Sequence, residues 1–174
     1  MKFLLGAADI EALEEVRHRH QFNDNGIRLT RNLGDNAGLT RMGVHLVRLA
    51  PGRESTQHHY HDADEEFIYI LSGRGVAHIG EDRYDVGPGD FMGFPAPSPA
   101  HSLENPYAQD LVYLMGGERN AVDVVHYPRI ERSMIKTHGR RRWVDWPDMH
   151  ELPAGSEGPS RDADDTSVDN ESSG

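Results

Sequence analysis

The sequence predicts an all-β domain built as a sandwich or barrel. Short apolar runs recur at even spacing between residues 39 and 126, and Gly, Pro and Asp residues separate them. The chain has 174 residues, which is within the usual range of a single domain and long enough to bury a core. One β-rich domain therefore accounts for the central part of the chain, with shorter segments before and after it.

Residues 1–38 are predicted to form an N-terminal helix and arm. Between Asp9 and Arg19, apolar residues recur at helical spacing after an acid-rich first turn, which predicts a short amphipathic helix capped by Asp9. Residues 21–38 are rich in Asn and Gly and predict a loop, with a candidate strand from Ile27 to Arg31.

The β-domain is predicted to span residues 39–126. Each strand is inferred from a run of apolar or β-branched residues that ends at turn residues. The predicted strands are Leu39–Ala50, Phe67–Leu71, Arg74–Ile79, Arg83–Val86, Phe91–Phe94, His101–Glu104, Leu111–Met115 and Val122–His126.

Two segments follow the β-domain. Residues 127–152, which include Trp143 and Trp146, are predicted to be an extension that packs on the barrel. Residues 153–174 hold almost no large apolar side chains and predict a disordered acidic tail. This tail has six acids and one base, so it contributes −5 of the net charge of −11 and leaves −6 for the rest of the chain.

Charge and composition exclude several classes of function. An acidic protein is expected to bind nucleic acid poorly, and the basic run Lys136–Arg142 is interpreted as a surface that forms ion pairs. The chain has no cysteine, which excludes disulfides, thiolate catalysis and thiolate metal ligands. Its N-terminal apolar run is too short for a signal peptide, and no run is long enough to span a membrane, so cytoplasmic residence is the default expectation.

Three histidines and a glutamate form the strongest functional signal in the sequence. Alternate side chains of a β-strand point to the same face, so His59 and His61 can contact one ion together. Residues 62–64 are predicted to form a turn, after which Glu66 opens the next strand on the same side. His101 follows the proline-rich segment 95–100, which gives it a stiff backbone. Imidazole and carboxylate groups in this number predict a site for one divalent metal ion.

These residues resemble the two sequence motifs of the cupin superfamily. The first motif, G-x(5)-H-x-H-x(3,4)-E-x(6)-G, has one extra residue here before its first histidine. The second, G-x(5)-P-x-G-x(2)-H-x(3)-N, has Pro97 in place of a glycine and one residue inserted before its histidine. The insertions make His58 a rival to His59, and Glu65 is the equivalent rival to Glu66. The matching residues are Gly52, His59, His61, Glu66 and Gly73 in the first motif, and Gly89, Pro95, His101 and Asn105 in the second.

The resemblance implies a jelly-roll barrel, also called a double-stranded β-helix, over residues 39–126. It also implies one divalent ion per chain, Fe, Mn, Ni or Zn, held by His59, His61, Glu66 and His101. A single motif pair implies a single-domain cupin. Side chains that line such a barrel set substrate specificity, and His45, Arg48, Met92, Phe94 and Tyr113 are the candidates, with their facing left open.

The function that the resemblance implies is metal-dependent catalysis on a small organic substrate, with an oxygenase preferred and a decarboxylase or isomerase as further types. The alternative is a cupin that binds or stores a small ligand without turnover. Glu66 argues against the thiol dioxygenases with three histidines, and sugar-epimerase cupins work without metal. No catalytic residue is assigned.

Side-chain alternation along the second strand also predicts an apolar outer surface. If Glu66 and Ile68 face the interior, then Phe67, Tyr69 and Leu71 face outward and require a cover. Cupins commonly pair through such a surface, so the resemblance implies a homodimer.

Overall fold

The computed structural model describes residues 2–150 and is built mainly of antiparallel strands. The predicted tail, residues 153–174, lies outside the described residues. Two short α-helices occur, α1 (Ala7–Ala12) and α2 (Leu33–Ala37), and there are 3₁₀ helices at Pro128–Ile130 and Trp146–Asp148. The strands are β1 (Val16–His20), β2 (Asn23–Asn32), β3 (Met42–Leu49), β4 (Tyr60–His61), β5 (Glu66–Ser72), β6 (Gly75–Ile79), β7 (Asp82–Val86), β8 (Phe91–Phe94), β9 (His101–Glu104), β10 (Leu111–Glu118), β11 (Val122–Tyr127), β12 (Arg132–Thr137) and β13 (Arg140–Asp145).

The strands form the two walls of a jelly roll. One wall is a six-stranded sheet in the order β1-β2-β3-β10-β5-β8. The other consists of two sheets, β13-β12-β11-β4 and β7-β6-β9. A β-bridge with two backbone hydrogen bonds between His59 and His101 connects these two sheets. The predicted all-β jelly roll is therefore confirmed, and the bridge places two predicted metal ligands side by side.

The hydrophobic core fills one end of the barrel. Val47, Ile70 and Tyr113 lie in one row across the six-stranded sheet because Tyr113 pairs with both of the others, and all three are at most 1% exposed. Ala77 and Leu103 close the core from the opposite wall, where they pair on β6 and β9. Full burial of an aliphatic side chain of this size stabilises the fold by about 1.5–3 kcal/mol. The other end of the barrel is lined largely by polar side chains and stays open.

The N-terminal segment differs from the sequence prediction. The helix predicted from Asp9 to Arg19 ends at Ala12, and its second half is strand β1, which pairs with β2. Asp9 lies inside the helix rather than at its cap, and its carboxylate accepts a hydrogen bond from the Gly6 amide. The segment 21–38, predicted as a loop with a short strand, contains the ten residues of β2 and the helix α2.

The outward direction of the second predicted strand is confirmed. Tyr69 is 39% exposed and Leu71 is 45% exposed on the outer face of β5, and Phe91 on the neighbouring β8 is 65% exposed. Trp143 does not cover this face, because it packs against Phe22 and Tyr127 at the open end. The homodimer stays a prediction, which a solution mass at micromolar concentration checks. None of the helices within residues 2–150 has the length and apolar character needed to cross a membrane.

Candidate metal centre

Four side chains from three strands and one loop meet at the open end of the barrel. The Nε2 atoms of His59 and His61 each lie 3.5 Å from Oε2 of Glu66. The Nε2 atom of His101 lies 3.1 Å from the same oxygen. Ligand atoms of His59, His61 and Glu66 all lie within 4.8 Å of one another, and His101 approaches from β9 through its contact with Glu66. We call His59, His61, Glu66 and His101 the candidate metal centre.

Each histidine of this centre is anchored through its other ring nitrogen. Nδ1 of His59 is 3.0 Å from the Gln57 carbonyl oxygen, and Nδ1 of His101 is 3.4 Å from that of Pro99. Nδ1 of His61 is 2.7 Å from the Asp123 carboxylate. Carbonyl and carboxylate oxygens only accept, so each Nδ1 donates its proton to the oxygen that anchors it. The three Nε2 atoms therefore all point toward the Glu66 carboxylate.

This arrangement requires a positive charge at its centre. Unprotonated Nε2 atoms and a carboxylate oxygen repel one another unless a proton or a cation lies between them. Burial lowers the pKa of His59, which opposes protonation there. Burial acts to raise the pKa of Glu66, but hydrogen bonds to His101 and His59 hold it well below its ordinary value, so Glu66 is ionised. The donor set of three imidazoles and one carboxylate fits one divalent metal ion.

Asp123 is a site residue that the sequence prediction missed. Its side chain is fully buried on β11 and accepts hydrogen bonds from His61 and from the amides of Ala63 and Asp64. Burial acts to raise the pKa of Asp123, but the bond to His61 and the charge of His61 lower it to about 2. Burial likewise acts to lower the pKa of His61, yet Asp123 and Glu66 outweigh it and raise that pKa. A carboxylate behind a ligating histidine orients the ring and strengthens it as a ligand.

A second acidic group beside the centre already has its cation. The ligand atoms of His61, Asp64 and Asp123 lie close enough to hold an ion. However, the ammonium group of Lys136 forms an ion pair with Asp64 and lies 3.8 Å from Asp123. Lys136 belongs to the basic run 136–142, so part of that run lies at the cavity instead of on the outer surface.

The two rival ligands lie outside the centre. His58 is 4% exposed, and its Nδ1 lies 3.2 Å from the Ser102 hydroxyl oxygen. Burial lowers the pKa of His58 to about 4. Glu65 is exposed, next to Glu66 but on the opposite side of the chain. The structure thus brings together the four residues chosen from the sequence, and their role as metal ligands is taken up as a proposal below.

A separate group of side chains surrounds His126 on β11. Its Nδ1 lies 2.8 Å from the Ser133 hydroxyl oxygen, and its Nε2 lies 3.0 Å from the Asp62 carboxylate. The indole of Trp146 donates a hydrogen bond of 2.9 Å to the same hydroxyl oxygen. Ser133 is completely buried, so this serine cannot meet a substrate, and the group is structural.

The remaining motif residues shape loops of the barrel. Gly52, Gly73 and Gly89 all have positive φ, and a Cβ at Gly73 would lie 2.2 Å from the carbonyl oxygen of Asp110. Asn105 is 1% exposed and donates hydrogen bonds to the carbonyl groups of Leu49 and Gln109. The motifs therefore combine ligands with residues that hold the backbone.

The centre opens into a cavity of about 500 Å³ at this end of the barrel. Phe94 stacks on His101 with the ring centroids 3.6 Å apart, and Tyr127 stacks on His59 at 5.8 Å. Next to Glu66 two positions on the inner face have no Cβ, because Gly43 pairs with Gly117 and Gly117 pairs with Glu66. A Cβ at Gly117 would lie 3.1 Å from Cγ of Glu66. This glycine pair keeps the cavity open beside the centre.

The candidate specificity residues divide between the two faces of the wall. His45 and Tyr113 line the cavity together with Phe94. Met92 is buried in the core. Arg48 faces away and forms ion pairs with Glu15 and Asp110.

A family model described as Cupin domain matches residues 45–117, which include all four residues of the candidate metal centre. A solved structure from Acidithiobacillus ferrooxidans, named as a presumed sugar phosphate isomerase, is 39% identical. The alignment covers 87% of this chain and 97% of that one, with a TM-score of 0.85. The chain belongs to the cupin superfamily.

Two further solved cupins extend the comparison. A sugar phosphate isomerase of the cupin superfamily from Silicibacter pomeroyi is 26% identical over 83% of this chain and 96% of its own, with a TM-score of 0.74. A predicted oxalate decarboxylase from Thermotoga maritima is 22% identical over 64% of this chain and 96% of its own, with a TM-score of 0.55, and shares the fold. No curated protein matches the chain significantly.

Proposed function

We propose that this cupin is a metal-dependent isomerase of a small hydroxycarbonyl compound of the sugar phosphate class, with one divalent ion at the candidate metal centre. The observation that carries the proposal is the convergence of three anchored imidazoles and one ionised carboxylate beside a cavity. Three imidazoles that share one carboxylate oxygen form a donor set that a divalent ion uses and that a merely structural jelly roll does not need.

The arrangement suits a substrate with adjacent oxygen atoms. A bound divalent ion supplies a Lewis acid for neighbouring carbonyl and hydroxyl oxygens. The four candidate ligands all line the cavity, so a substrate in the cavity would lie next to the ion. The rings of Phe94 and Tyr127 restrict water around His101 and His59 and hold these imidazoles in place.

The choice of isomerisation over oxygenation rests on the relatives that match along the whole chain. The two structures named as sugar phosphate isomerases, one of them only presumed to be so, are covered over 97% and 96% of their lengths. The sequence predicts an oxygenase, but none of the structures compared above is named as one. Isomerisation also needs no oxidant, only a proton transfer between neighbouring carbon atoms and their oxygens.

The proposal is tested first by elemental analysis of protein purified without added metal. We expect about one divalent ion per chain, removable by a chelator. A protein that carries no metal, and that gains none when dialysed against Fe, Mn, Ni or Zn, would contradict the metal centre.

The reaction is tested with aldose and ketose phosphates in deuterated water. We expect the metal-loaded protein to interconvert at least one such pair and to exchange the hydrogen beside its carbonyl group, and the chelator-treated protein to do neither. Oxygen uptake is recorded in parallel on phenolic, diketone and dicarboxylate compounds. Uptake without isomerisation would establish the oxygenase instead, and full metal occupancy without any turnover would establish a ligand-binding cupin.

A further inference from the structure

The cavity has a second polar region that the candidate metal centre does not use. Arg28 on β2, His45 on β3 and Tyr113 on β10 face the cavity from the six-stranded sheet. We call these three residues the polar wall. The backbone register places them on one face of the sheet, because Tyr113 pairs with Val47, two positions from His45, and Val47 pairs with Thr30, two positions from Arg28 in the opposite direction.

Each residue of the polar wall has a buried polar atom that lacks a partner. Among residues 2–150, no hydrogen-bond partner is found for Nε of Arg28, Nδ1 of His45 or the hydroxyl group of Tyr113. Buried polar groups in folded proteins are nearly always paired, since an unpaired group loses its hydration without compensation. Three such atoms on one wall of a cavity indicate a ligand that supplies the missing partners.

The charge of the polar wall selects an anionic ligand. Arg28 is always protonated, and its one hydrogen bond, 2.6 Å from Nη1, goes to the neutral carbonyl oxygen of Ser55. Within the described part of the chain, no carboxylate lies at ion-pair distance from Arg28. The acids Asp64 and Asp123 of the same cavity are paired with Lys136 and His61. The guanidinium group is therefore left to attract an anion from outside the protein.

The other two residues act as neutral hydrogen-bond donors. Burial, followed by the charges of Arg119 and Arg28, lowers the pKa of His45, which is therefore uncharged and offers one N–H group. Burial raises the pKa of Tyr113 to about 12, so its hydroxyl proton is retained. At the cavity rim His18 pairs directly with Arg28 across β1 and β2 and adds a further imidazole.

We propose that the polar wall binds the phosphate group of the substrate while the oxygen atoms at the substrate's other end reach the candidate metal centre. The inference rests on the proposed function and adds to it the residues that recognise phosphate. A tetrahedral phosphate presents several acceptor oxygens in different directions, which suits donors on three separate strands. The cavity of about 500 Å³ has the size of known small-molecule sites.

The test uses inorganic phosphate titrated calorimetrically into the full chain, both as purified and after metal removal. We expect Arg28→Gln to weaken phosphate binding by about tenfold or more in both forms, because a charge-assisted bond is lost. Arg17→Gln is the matched control, since Arg17 lies on the neighbouring strand with its side chain exposed, and it should leave the affinity unchanged. The metal content of both variants should equal that of the wild type.

Tyr113→Phe provides a second variant that keeps the packing of the ring. It removes only the unpartnered hydroxyl group, and we expect phosphate to bind about threefold to tenfold more weakly. A thermal unfolding curve for each variant checks that it is folded. Wild-type binding of phosphate by Arg28→Gln and Tyr113→Phe would overturn the inference, and so would the absence of binding to the wild type at millimolar concentrations. Binding that survives in Arg28→Gln but disappears with the metal would place the phosphate at the metal centre instead.

Kinetics separate this inference from the proposed function. If the isomerase is active, Arg28→Gln should raise KM for the phosphorylated substrate and leave KM for the matching free sugar unchanged. If Arg28→Gln turns over the phosphorylated substrate with an unaltered KM, the isomerase proposal stands and the phosphate site at the polar wall is wrong. If phosphate binding depends on Arg28 but no sugar phosphate is turned over, the phosphate site at the polar wall stands and the isomerase proposal is wrong.

Discussion

The candidate metal centre and the group around His126 use the same residue types with opposite results. At His126 each ring nitrogen has a suitable partner, the Ser133 hydroxyl on one side and the Asp62 carboxylate on the other. At the centre, Nδ1 of His61 is bonded to Asp123 in a similar way, but its Nε2 meets a carboxylate that two further imidazoles also face. In one group each ring nitrogen has its own partner, and in the other three ring nitrogens share one carboxylate oxygen.

This difference shows that the role of a histidine cluster follows from the hydrogen-bond partner of each ring nitrogen and not from the number of histidines. Where a donor and an acceptor satisfy the ring, histidine is a structural residue. Where the anchored Nδ1 forces Nε2 toward other acceptors, only a positive charge makes the arrangement stable.

The largest effect is expected from removing one ligand. His101→Ala should reduce the metal content to below about a tenth of the wild-type value, because the remaining donors no longer complete the set. His58→Ala is the matched control, since both histidines are 4% exposed and only His101 contacts Glu66. Metal analysis of both purified variants checks this. Loss of metal in the His58 variant alone would show that the ligand assignment is wrong by one residue.

A smaller effect is expected from the buried carboxylate behind His61. Asp123→Asn should lower metal affinity about 10–100-fold, because the amide cannot hold the imidazole as the carboxylate does. Asp62→Asn makes the same change behind His126 and should not alter the affinity. Competition with a chelator measures both values. Equal losses of metal affinity in Asp123→Asn and Asp62→Asn would show that the two histidine groups do not differ in their role in metal binding.

The complete group around His126 should affect stability and not metal binding. Ser133→Ala leaves the Trp146 indole and Nδ1 of His126 without their shared partner and should cost about 1–3 kcal/mol of unfolding free energy. Urea unfolding of the metal-free protein measures the change, and elemental analysis should show an unaltered metal content. Metal loss in a folded Ser133→Ala variant would link the two groups.

Acid titration gives the most modest test. Because the pKa of Asp123 is about 2 in the folded protein, against an ordinary value of 3.8, its ionised form stabilises the fold above about pH 4. This contribution disappears as the pH falls from about 4 to about 2. Metal-free wild type should therefore lose more unfolding free energy over this interval than Asp123→Asn does. Equal losses of unfolding free energy in the two proteins, measured by urea unfolding, would show that the Asp123 carboxylate does not stabilise the fold.

The sequence predicts the strands that carry apolar residues on their inner face. The structure has strands at Phe91–Phe94 and His101–Glu104 as predicted, and β5 differs from its prediction by one residue at each end. The segment of strand β1, Val16–His20, is predicted as helix because Val16 continues the helical spacing of Ile10 and Leu13. The other residues of β1 are charged or polar and face a polar cavity or solvent. A strand without an apolar face has no hydrophobic alternation to detect, and its pairing with β2 depends on residues distant from it in sequence.

The same limit applies to the site. The four residues of the candidate metal centre lie within two motifs whose spacing is visible in the chain. Asp123 and Arg28 lie outside those motifs, and their positions follow only from strand pairing. For Asp123 a signal does exist, because an acid between valines in the run Val122–Val125 of a predicted strand indicates a buried carboxylate with a partner. For Arg28 the sequence has no comparable signal.

The glycine pair beside Glu66 has a consequence for the range of substrates. Gly43 and Gly117 lie between the polar wall and the metal centre, and a Cβ at Gly43 would lie 3.2 Å from Nε2 of His45. A ligand that reaches from one anchor to the other thus passes two positions that have no Cβ, beside the imidazole of His45 and the guanidinium of Arg119. Methyl groups added at these two positions would shorten the usable length of the cavity, so the size of the molecule accepted can change while every polar contact stays in place.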